Sequence, residues 1–312
     1  MPVKVVFMGT PDFAVPTLKA LIEKHEVLAV ISQPDKPKGR GKKLQPTPVK
    51  IVAEEAGIPV YQPEKIKSPE FMETLKTIKA DVFVVVAYGQ ILPQTVLDMP
   101  KYGCINVHGS LLPKYRGAAP IQWSIIDGEE VTGVTIMYME KGLDTGDMLL
   151  KREIPIDPED TYGSLHDKMA PVGAQALIEV LDMLEKGSVR PEKQDDEKSS
   201  YVSVINKSLG LIDWNKNAKD IVDLVRGLDP VPGAYGYFNG EQIKIWSAAV
   251  LDGFNGEAGT VVYTDKKKGF AVAAGDKAVL VREMQAKGGK RMESSAYMRG
   301  HEIKVGDKFE NM

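Results

Sequence analysis

The stretch GCINVHGSLLP occupies residues 103–113. Its first half is an apolar run that predicts a buried strand. Side chains alternate faces along a strand, so Asn106 and His108 share one face. Gly109 then lets the chain turn without a side-chain clash. Ligands bind at the carboxyl ends of strands in open α/β sheets, so this polar pair marks a candidate site. On residue types alone, a loop hydrogen-bonding role for the pair stays open.

Alternating strand and helix patterns surround this stretch. Residues 82–87 are apolar on both faces, which is typical of a central parallel strand. Repeated βα units of this kind predict a doubly wound, Rossmann-like α/β domain. The other predicted strands cover residues 3–8, 27–31, 58–61, 104–108 and 131–139, and the predicted helices cover residues 13–24, 49–56, 70–79 and 161–186.

The C-terminal part predicts a smaller β domain. Residues 189–203 are polar and unpatterned, which indicates a linker between a catalytic domain (1–188) and a second domain (204–312). A helix over residues 218–228 is followed by five short strands at close spacing, which favours a β-barrel of OB-fold type. These predicted strands cover residues 234–238, 242–248, 258–263, 270–273 and 278–283.

Length, charge and composition exclude several classes of protein. A chain of 312 residues is longer than one compact core usually holds, which favours two domains. A net charge of −3 argues against a generic nucleic-acid binder. The single cysteine, Cys104, excludes a disulfide within the chain and a cysteine-rich zinc site, and we interpret it as a packing residue. Without a membrane-spanning run or a secretory signature, the sequence predicts a cytoplasmic protein.

The first turn does not carry a nucleotide-binding motif. Residues 9–12 read GTPD where a dinucleotide fingerprint would lie, but the pattern is not Gly-x-Gly-x-x-Gly. The phosphate-binding pattern Gly-x-x-x-x-Gly-Lys-Ser/Thr is also absent from the chain. We therefore reject NAD-binding and P-loop interpretations.

A long loop over residues 34–48 is rich in proline, glycine and basic residues. Two interpretations stay open: a flexible solvated loop, or a mobile arm that meets a phosphate backbone. Glycines allow close approach, and Lys or Arg neutralise phosphates. The candidate phosphate-contacting cations are Lys36, Lys38, Arg40, Lys42 and Lys43.

Three motifs together resemble the folate-dependent formyltransferases. They are NVHGSLLP at residues 106–113, RGAAP at residues 116–120 and GLDTGD at residues 142–147. The opening FMGTPDFA at residues 7–14, the basic loop and the second domain narrow the resemblance to the branch that acts on tRNA. It covers nearly the whole chain and is looser in the barrel. It implies that 10-formyltetrahydrofolate donates a formyl group to the free amino group of methionyl initiator tRNA, which supports translation initiation.

The resemblance also implies roles for individual residues. It assigns Asn106, His108 and Asp144 as catalytic, and it places Arg40 where the family's basic loop engages the acceptor stem. On residue type alone, Asp144 is equally a turn-forming aspartate. The implied folate-binding residues are Val86, Tyr88, Gly89, Gln90, Ile91, Ser110, Leu111, Leu112 and Pro113.

The chemistry suits these residue types. A neutral amine attacks the formyl carbon and produces a tetrahedral oxyanion, to which Asn106 donates its amide N–H; such a donor contributes roughly 3–4 kcal/mol. His108 moves a proton from the amine to the departing folate nitrogen, and Asp144 orients the imidazole. This scheme needs no metal and no covalent enzyme intermediate, and a monomer is the expected state.

Alternative functions stay open at this point. One alternative is that this chain is another formyltransferase, which acts on a nucleotide-sugar amine or a purine-pathway amine. The purine enzyme lacks the second domain. A hydrolase that releases formate would use the same three residues, with water in place of the amine. A non-catalytic RNA-binding module is a different class, and the acidic net charge argues against it.

Overall fold

The computed structural model of the chain describes residues 2–38 and 43–310. The chain divides into two compact units, and neither is one continuous segment. The first comprises Met1–Gly117, Val131–Pro155 and His166–Val202, and the second comprises Ala118–Glu130, Ile156–Leu165 and Ser203–Met312. The sequence-based boundaries at residues 188, 203 and 204 stay a prediction.

Eleven strands belong to the described part of the first unit. They are β1 (Lys4–Gly9), β2 (Glu26–Ile31), β3 (Lys36–Lys38), β4 (Lys43–Gln45), β5 (Val60–Tyr61), β6 (Val82–Val86), β7 (Cys104–His108), β8 (Arg116–Gly117), β9 (Val131–Tyr138), β10 (Met148–Pro155) and β11 (Tyr201–Val202). The helices of the chain are α1 (Val15–Lys24), α2 (Pro48–Glu55), α3 (Pro69–Thr77), α4 (Gln94–Leu97), α5 (Pro120–Ile126), α6 (Tyr162–Glu185), α7 (Ala218–Gly227) and α8 (Ser294–Tyr297), with short 3₁₀ helices at Asp12–Ala14, Asp196–Lys198 and Lys207–Gly210.

A seven-stranded mixed sheet forms the centre of the first unit. Its strand order is β10-β9-β7-β6-β1-β2-β5. The five strands from β7 to β5 run parallel, and β9 and β10 are antiparallel to their neighbours. Every residue of β6 is buried, as its uniformly apolar sequence predicts for a central strand. The predicted α/β sheet with parallel central strands is confirmed.

Two predictions for this unit need correction. Strand β10 was missed because it lies at the sheet edge, where its exposed positions include Lys151 and Glu153 and the apolar pattern is weak. The loop over residues 34–48 is not wholly structureless, since β3 and β4 pair antiparallel with Lys36 opposite Gln45. Backbone hydrogen bonding forms this pair without an apolar pattern in the sequence.

Strand β7 lies between β6 and β9, directly beneath α6. A side chain at Gly173 in α6 would place its Cβ 2.8 Å from Val107 Cγ1. Glycine therefore lets the helix approach the strand that carries Asn106 and His108. The two polar residues lie on the face opposite this contact, because side chains alternate along the strand.

The second unit contains a curled antiparallel sheet. Its strands are β12 (Ala234–Phe238), β13 (Glu241–Leu251), β14 (Val261–Asp265), β15 (Gly269–Ala273), β16 (Ala278–Ala286), β17 (Met292–Glu293) and β18 (Phe309–Glu310), in the order β14-β15-β16-β13-β12-β18 with β17 beside β16. The two edges meet, since Val261 donates its N–H to Asp307 and Phe309 donates to Gly259, both at 2.7 Å. The five predicted strands are confirmed.

Aromatic rings fill the interior of this curled sheet. Phe309 stacks on Phe270 at 5.8 Å between ring centroids and contacts Trp214 at 5.5 Å and Phe238 at 5.1 Å. Burial of such rings is a large favourable contribution to folding.

In the described ranges, 2–38 and 43–310, we find no helix with the length and apolarity needed to cross a bilayer.

We expect Gly133→Ala to lower the free energy of unfolding by about 1–3 kcal/mol, measured by urea denaturation. A Cβ at this position of β9 would overlap the Arg152 carbonyl of β10 and lie 2.6 Å from Leu111 Cδ2. The matched control is Gly300→Ala, where no atom lies within 4 Å of the added methyl group. An equal effect in both variants would contradict this account of β9 packing.

Candidate active site

His108 is the last residue of β7 and is held between two acceptors. Its side chain is 5% exposed, and its Nε2 lies 2.9 Å from the backbone oxygen of Tyr115. A carbonyl oxygen only accepts, so Nε2 carries the proton in this contact. The other nitrogen, Nδ1, lies 3.7 Å from Oδ2 of Asp144. The ring therefore has a fixed orientation and a carboxylate beside Nδ1.

Asp144 lies on the turn that joins β9 to β10. Its φ is 53°, in the left-handed region that non-glycine residues seldom adopt. Its Oδ2 accepts the backbone N–H of Gly117 at 2.8 Å. The carboxylate is 16% exposed, so it combines a fixed position with access from outside.

The path of this turn is not what strand order alone predicts. Because β9 runs antiparallel to β7, its end at Tyr138 lies opposite Ile105, whereas His108 lies opposite Thr135. The turn therefore starts at the far end of β7. It folds back along the sheet face so that Asp144 reaches the His108 ring.

Asn106 lies in the middle of β7 and is half-buried. Its backbone is paired on both sides, opposite Val85 and Met137. Within residues 2–38 and 43–310, no hydrogen-bond partner is present for its side-chain amide. The strand parity places this amide on the same face as His108, so it is available to a bound substrate.

The loop after β7 is held by one threonine. Thr135 Oγ1 donates to the Ser110 carbonyl at 2.7 Å and accepts the Leu112 N–H at 3.1 Å. Ser110 is buried, and its hydroxyl donates to the Lys114 carbonyl at 2.7 Å. Leu112 is buried with Met137 and Met148, so it acts as a core residue of the loop.

The loop after β6 divides into structural and accessible residues. The Gln90 amide donates to the carbonyls of Pro63 and Glu64 and accepts the Ile66 N–H, so it ties down a neighbouring loop. Ile91 is 86% exposed. Of the predicted folate-binding residues here, Ile91 presents the accessible apolar surface.

Three further predicted residues, at the end of β6 and in the loop after it, are buried or lack a side chain. Val86 and Tyr88 are buried, and burial raises the pKa of the Tyr88 hydroxyl to about 12. That hydroxyl has no hydrogen-bond partner within the described ranges. Gly89 has φ +87°, which suits glycine at the turn after the strand. Pro113 follows Leu112 in the β7 loop, and its carbonyl accepts the Ser200 N–H at 3.3 Å.

The basic loop is anchored at its base. Asp35 accepts from Lys50 Nζ at 2.7 Å and from Gln62 Nε2 at 2.7 Å. Lys36 is exposed, and Lys38 and Lys43 lie opposite one another in the β3–β4 pair. Arg40 and Lys42 lie outside the described residues. The described part thus presents Lys36 to solvent on a fixed base.

Cys104 is a core residue, as predicted. It is buried among apolar side chains near α4, and its Sγ lies 3.8 Å from the carbonyls of Val96 and Leu97. Burial raises the pKa of its thiol to about 12, so a reactive thiolate is disfavoured. Among residues 2–38 and 43–310, His, Cys, Asp and Glu form no group of three placed to hold a metal ion.

The sequence interpretation missed two polar residues beside the site. Arg116 is only 2% exposed, and its Nε donates to Gln194 Oε1 at 3.0 Å. Gln194 in turn donates to the carbonyls of Asp144 and Gly146. The two residues are 78 positions apart, and Gln194 falls in the segment predicted as an unpatterned linker. No local pattern signals such a contact.

Comparison with known families matches both parts of the chain. A family model described as "Formyl transferase" matches residues 3–181, and one described as "Formyl transferase, C-terminal domain" matches residues 204–302. A curated methionyl-tRNA formyltransferase from Clostridioides difficile is 52% identical over 305 residues, which cover 97% of this chain and 98% of the relative. The chain belongs to the methionyl-tRNA formyltransferase family.

Other relatives agree with this assignment. A curated family member from Geotalea daltonii is 48% identical over 307 residues, which cover 98% of each chain. Among solved structures, WlaRD, a sugar 3N-formyl transferase, has a TM-score of 0.66 at 21% identity and covers 92% of this chain and 97% of its own. HypX from Aquifex aeolicus in complex with tetrahydrofolic acid has a TM-score of 0.64 at 18% identity over 96% of this chain and 47% of its own. At these identities the two structures show a shared fold.

We expect Asp35→Asn to destabilise this formyltransferase chain in a pH-dependent way. Hydrogen bonds from Gln62 and then Lys50 hold the pKa of the Asp35 carboxyl below its usual value. The stabilisation is thus fully present above the unfolded-state pKa of about 4 and is lost as the pH falls through the lower folded-state pKa. Urea unfolding of both proteins between neutral and acid pH measures the difference. A difference that stays constant over this range would contradict the prediction.

Proposed function

We propose that this chain transfers the formyl group of 10-formyltetrahydrofolate to the free amino group of methionyl initiator tRNA, which supports translation initiation. The observation that carries the proposal is the arrangement around β7. His108 is fixed between the Tyr115 carbonyl and the Asp144 carboxylate, and the Asn106 amide on the same face is free to bind substrate. Relatives that are about half identical over nearly the full chain support the choice of acceptor.

The accessible residues suit the folate. Two large apolar side chains, Ile91 at 86% exposure and Leu143 at 56%, belong to the loops after β6 and β9, the strands on either side of β7. Exposed apolar groups beside a few polar donors are typical of a site for a flat ring with polar edges. Val86, Tyr88, Gly89, Gln90, Ser110, Leu111, Leu112 and Pro113 complete the proposed folate-binding set.

Three side chains perform the transfer. The folate supplies the formyl carbon that the amine attacks. The Asn106 amide donates to the formyl oxygen as negative charge develops there, and this stabilisation is worth roughly 3–4 kcal/mol. His108 takes up at Nδ1 the proton that the attacking amine loses. The protonated Nδ1 then lies beside the Asp144 carboxylate, 3.7 Å away. His108 passes that proton to the departing folate nitrogen, so the enzyme ends each cycle in its starting state.

The basic loop and the second unit are proposed to bind the tRNA. Lys36, Lys38, Arg40, Lys42 and Lys43 would neutralise phosphates of the acceptor stem. We propose that residues 1–188 are a doubly wound, Rossmann-like catalytic domain, that 189–203 connect the domains, and that 204–312 are an OB-type tRNA-binding domain. The curled antiparallel sheet and the family match over residues 204–302 support the last of these.

A cytoplasmic monomer completes the proposal. The acceptor is a tRNA used in translation, which favours the compartment where ribosomes work. One chain contains all three proposed catalytic residues, so transfer requires no second copy.

The decisive experiment incubates the protein with radiolabelled formyl donor and either initiator or elongator methionyl-tRNA. Label in initiator methionyl-tRNA supports the proposal. Release of free formate would favour a hydrolase, and the absence of any turnover would favour an RNA-binding role. A parallel incubation supplies a nucleotide-sugar amine, and label there instead would assign the chain to a different acceptor.

We expect Asn106→Ala to lower kcat by about 10²–10³-fold, because an oxygen that becomes negatively charged loses its donor. His108→Ala should lower kcat by roughly 10²–10⁴-fold, because proton transfer is lost. Single-turnover formylation of methionyl-tRNA measures both effects. His301→Ala, at an exposed position after α8, is the matched histidine control. Near-normal turnover in a folded Asn106 or His108 variant would refute the assignment.

We expect Lys36→Ala and Arg40→Ala to weaken tRNA use while folate binding stays intact. Each lost phosphate contact should raise the KM for tRNA and reduce the salt dependence of binding by about one counterion. Lys79→Ala, an exposed lysine after α3, controls for a general loss of positive charge. Equal losses of tRNA and folate binding would count against the loop as a tRNA-binding element.

A further inference from the structure

Residues 192–202, here named the strap, run beside the turn that joins β9 to β10 and carries Asp144, here named the catalytic turn. At one end, Glu192 and Met148 exchange backbone hydrogen bonds of 2.8 and 2.9 Å. At the other end, β11 (Tyr201–Val202) pairs in parallel with β8 (Arg116–Gly117). The strap is therefore attached to the first unit at both of its ends, on either side of the residues that approach Asp144.

Gln194 bridges the backbone of the catalytic turn. Its Nε2 donates to the Asp144 carbonyl and to the Gly146 carbonyl, both at 2.8 Å. One amide group thus ties together the two residues that flank Thr145. Asp144 is also the residue with φ 53°, so these bonds stabilise a backbone conformation that aspartate alone disfavours.

Arg116 fixes the orientation of the Gln194 amide. Its Nε donates to Gln194 Oε1 at 3.0 Å, so the oxygen faces the guanidinium and both amide hydrogens face the turn. The rest of the guanidinium donates to Tyr201 Oη at 2.9 Å and to Asp196 Oδ1 at 2.7 Å. Each of the three nitrogens of this buried guanidinium donates to a residue of the strap, which indicates a structural role.

The strap also holds the other partner of His108. Ser200 Oγ accepts the Tyr115 N–H at 2.8 Å, and Ser200 O accepts the Arg116 N–H at 2.8 Å. Tyr115 has φ 61°, and its carbonyl is the acceptor for His108 Nε2. Both groups that contact the His108 ring are therefore attached to the same eleven-residue segment.

We infer that the strap positions the catalytic groups, with Gln194 as a positioning residue that acts through Asp144. The inference rests on the proposed function, because it assigns Asp144 a part in formyl transfer. Gln194 does not need to touch substrate; its bonds hold the Asp144 carboxylate 3.7 Å from His108 Nδ1. Small displacements of such a group are costly, since misplacement by about 1 Å lowers rates by roughly 10²-fold.

The first test substitutes the amide with groups of similar size. Gln194→Met removes the donor and the acceptor, and Gln194→Glu keeps the acceptor for Arg116 but removes the donor to the turn. Both should lower kcat about 10- to 100-fold and leave the KM for tRNA nearly unchanged. Gln175→Met, an exposed glutamine of α6, is the matched control and should retain full activity. A wild-type kcat in both Gln194 variants would overturn the inference.

A double-mutant cycle distinguishes positioning from general stability. If Gln194 acts through Asp144, then adding Gln194→Met to Asp144→Asn should cost little further activity. Additive losses in kcat would show that Gln194 acts independently of the carboxylate. A kcat loss explained by a lowered melting temperature would show a general stabilising role, and either result would overturn the inference.

A spectroscopic measurement separates this inference from the proposed function. The chain has four histidines, so imidazole NMR signals can be assigned individually. Gln194→Met should shift the His108 signal and leave those of His25, His166 and His301 in place, whatever reaction the enzyme performs. An unshifted His108 signal refutes the strap inference. If wild-type protein does not formylate methionyl-tRNA but the signal shifts, the proposed function fails and the positioning contact stands.

Discussion

The position of the Asp144 carboxylate beside the His108 ring is the constraint on which the rest of the site depends. The two residues come from β7 and from a turn that starts at the opposite end of that strand. The chain meets this constraint with an unusual backbone conformation at Asp144, a hydrogen bond from Gly117 and the bridge from Gln194. The two hydrogen bonds join segments that are distant in sequence, and together with the backbone conformation they hold the carboxylate beside the ring.

The sheet provides the rigid support for this arrangement. Buried apolar residues fill β6, and Gly173 lets α6 approach β7 from one face while the polar pair occupies the other. A strand held on both edges and one face carries its side chains with little freedom. The predicted site residues on and beside the remaining face have two roles. Gln90 and Ser110 stabilise the protein's own loops, whereas Asn106 and Ile91 remain accessible.

Local patterns predicted the elements well and their long-range partners poorly. The β7 boundaries were predicted correctly because Cys104–His108 is a short strand pattern between glycines. Five of the seven strands described in the second unit were found from turn spacing. Strand β10 was missed because an edge strand buries little. Residues 189–203 are predicted as a linker because they are polar. The sequence pattern does not show the hydrogen bonds that residues 192–202 make to β8 and to the turn.

The sequence by itself determined the mixed α/β character of the first unit, the antiparallel strands of the second, and the residue types at the site, since Asn106 and His108 share a face by strand parity alone. Only the tertiary structure decided that Asp144 meets His108, that Arg116 is a buried structural cation, and that Gln194 joins them. The physical reason is that periodicity encodes which face a residue occupies. Hydrogen bonds from side chains to groups 50 or 78 positions away depend on how the chain returns upon itself.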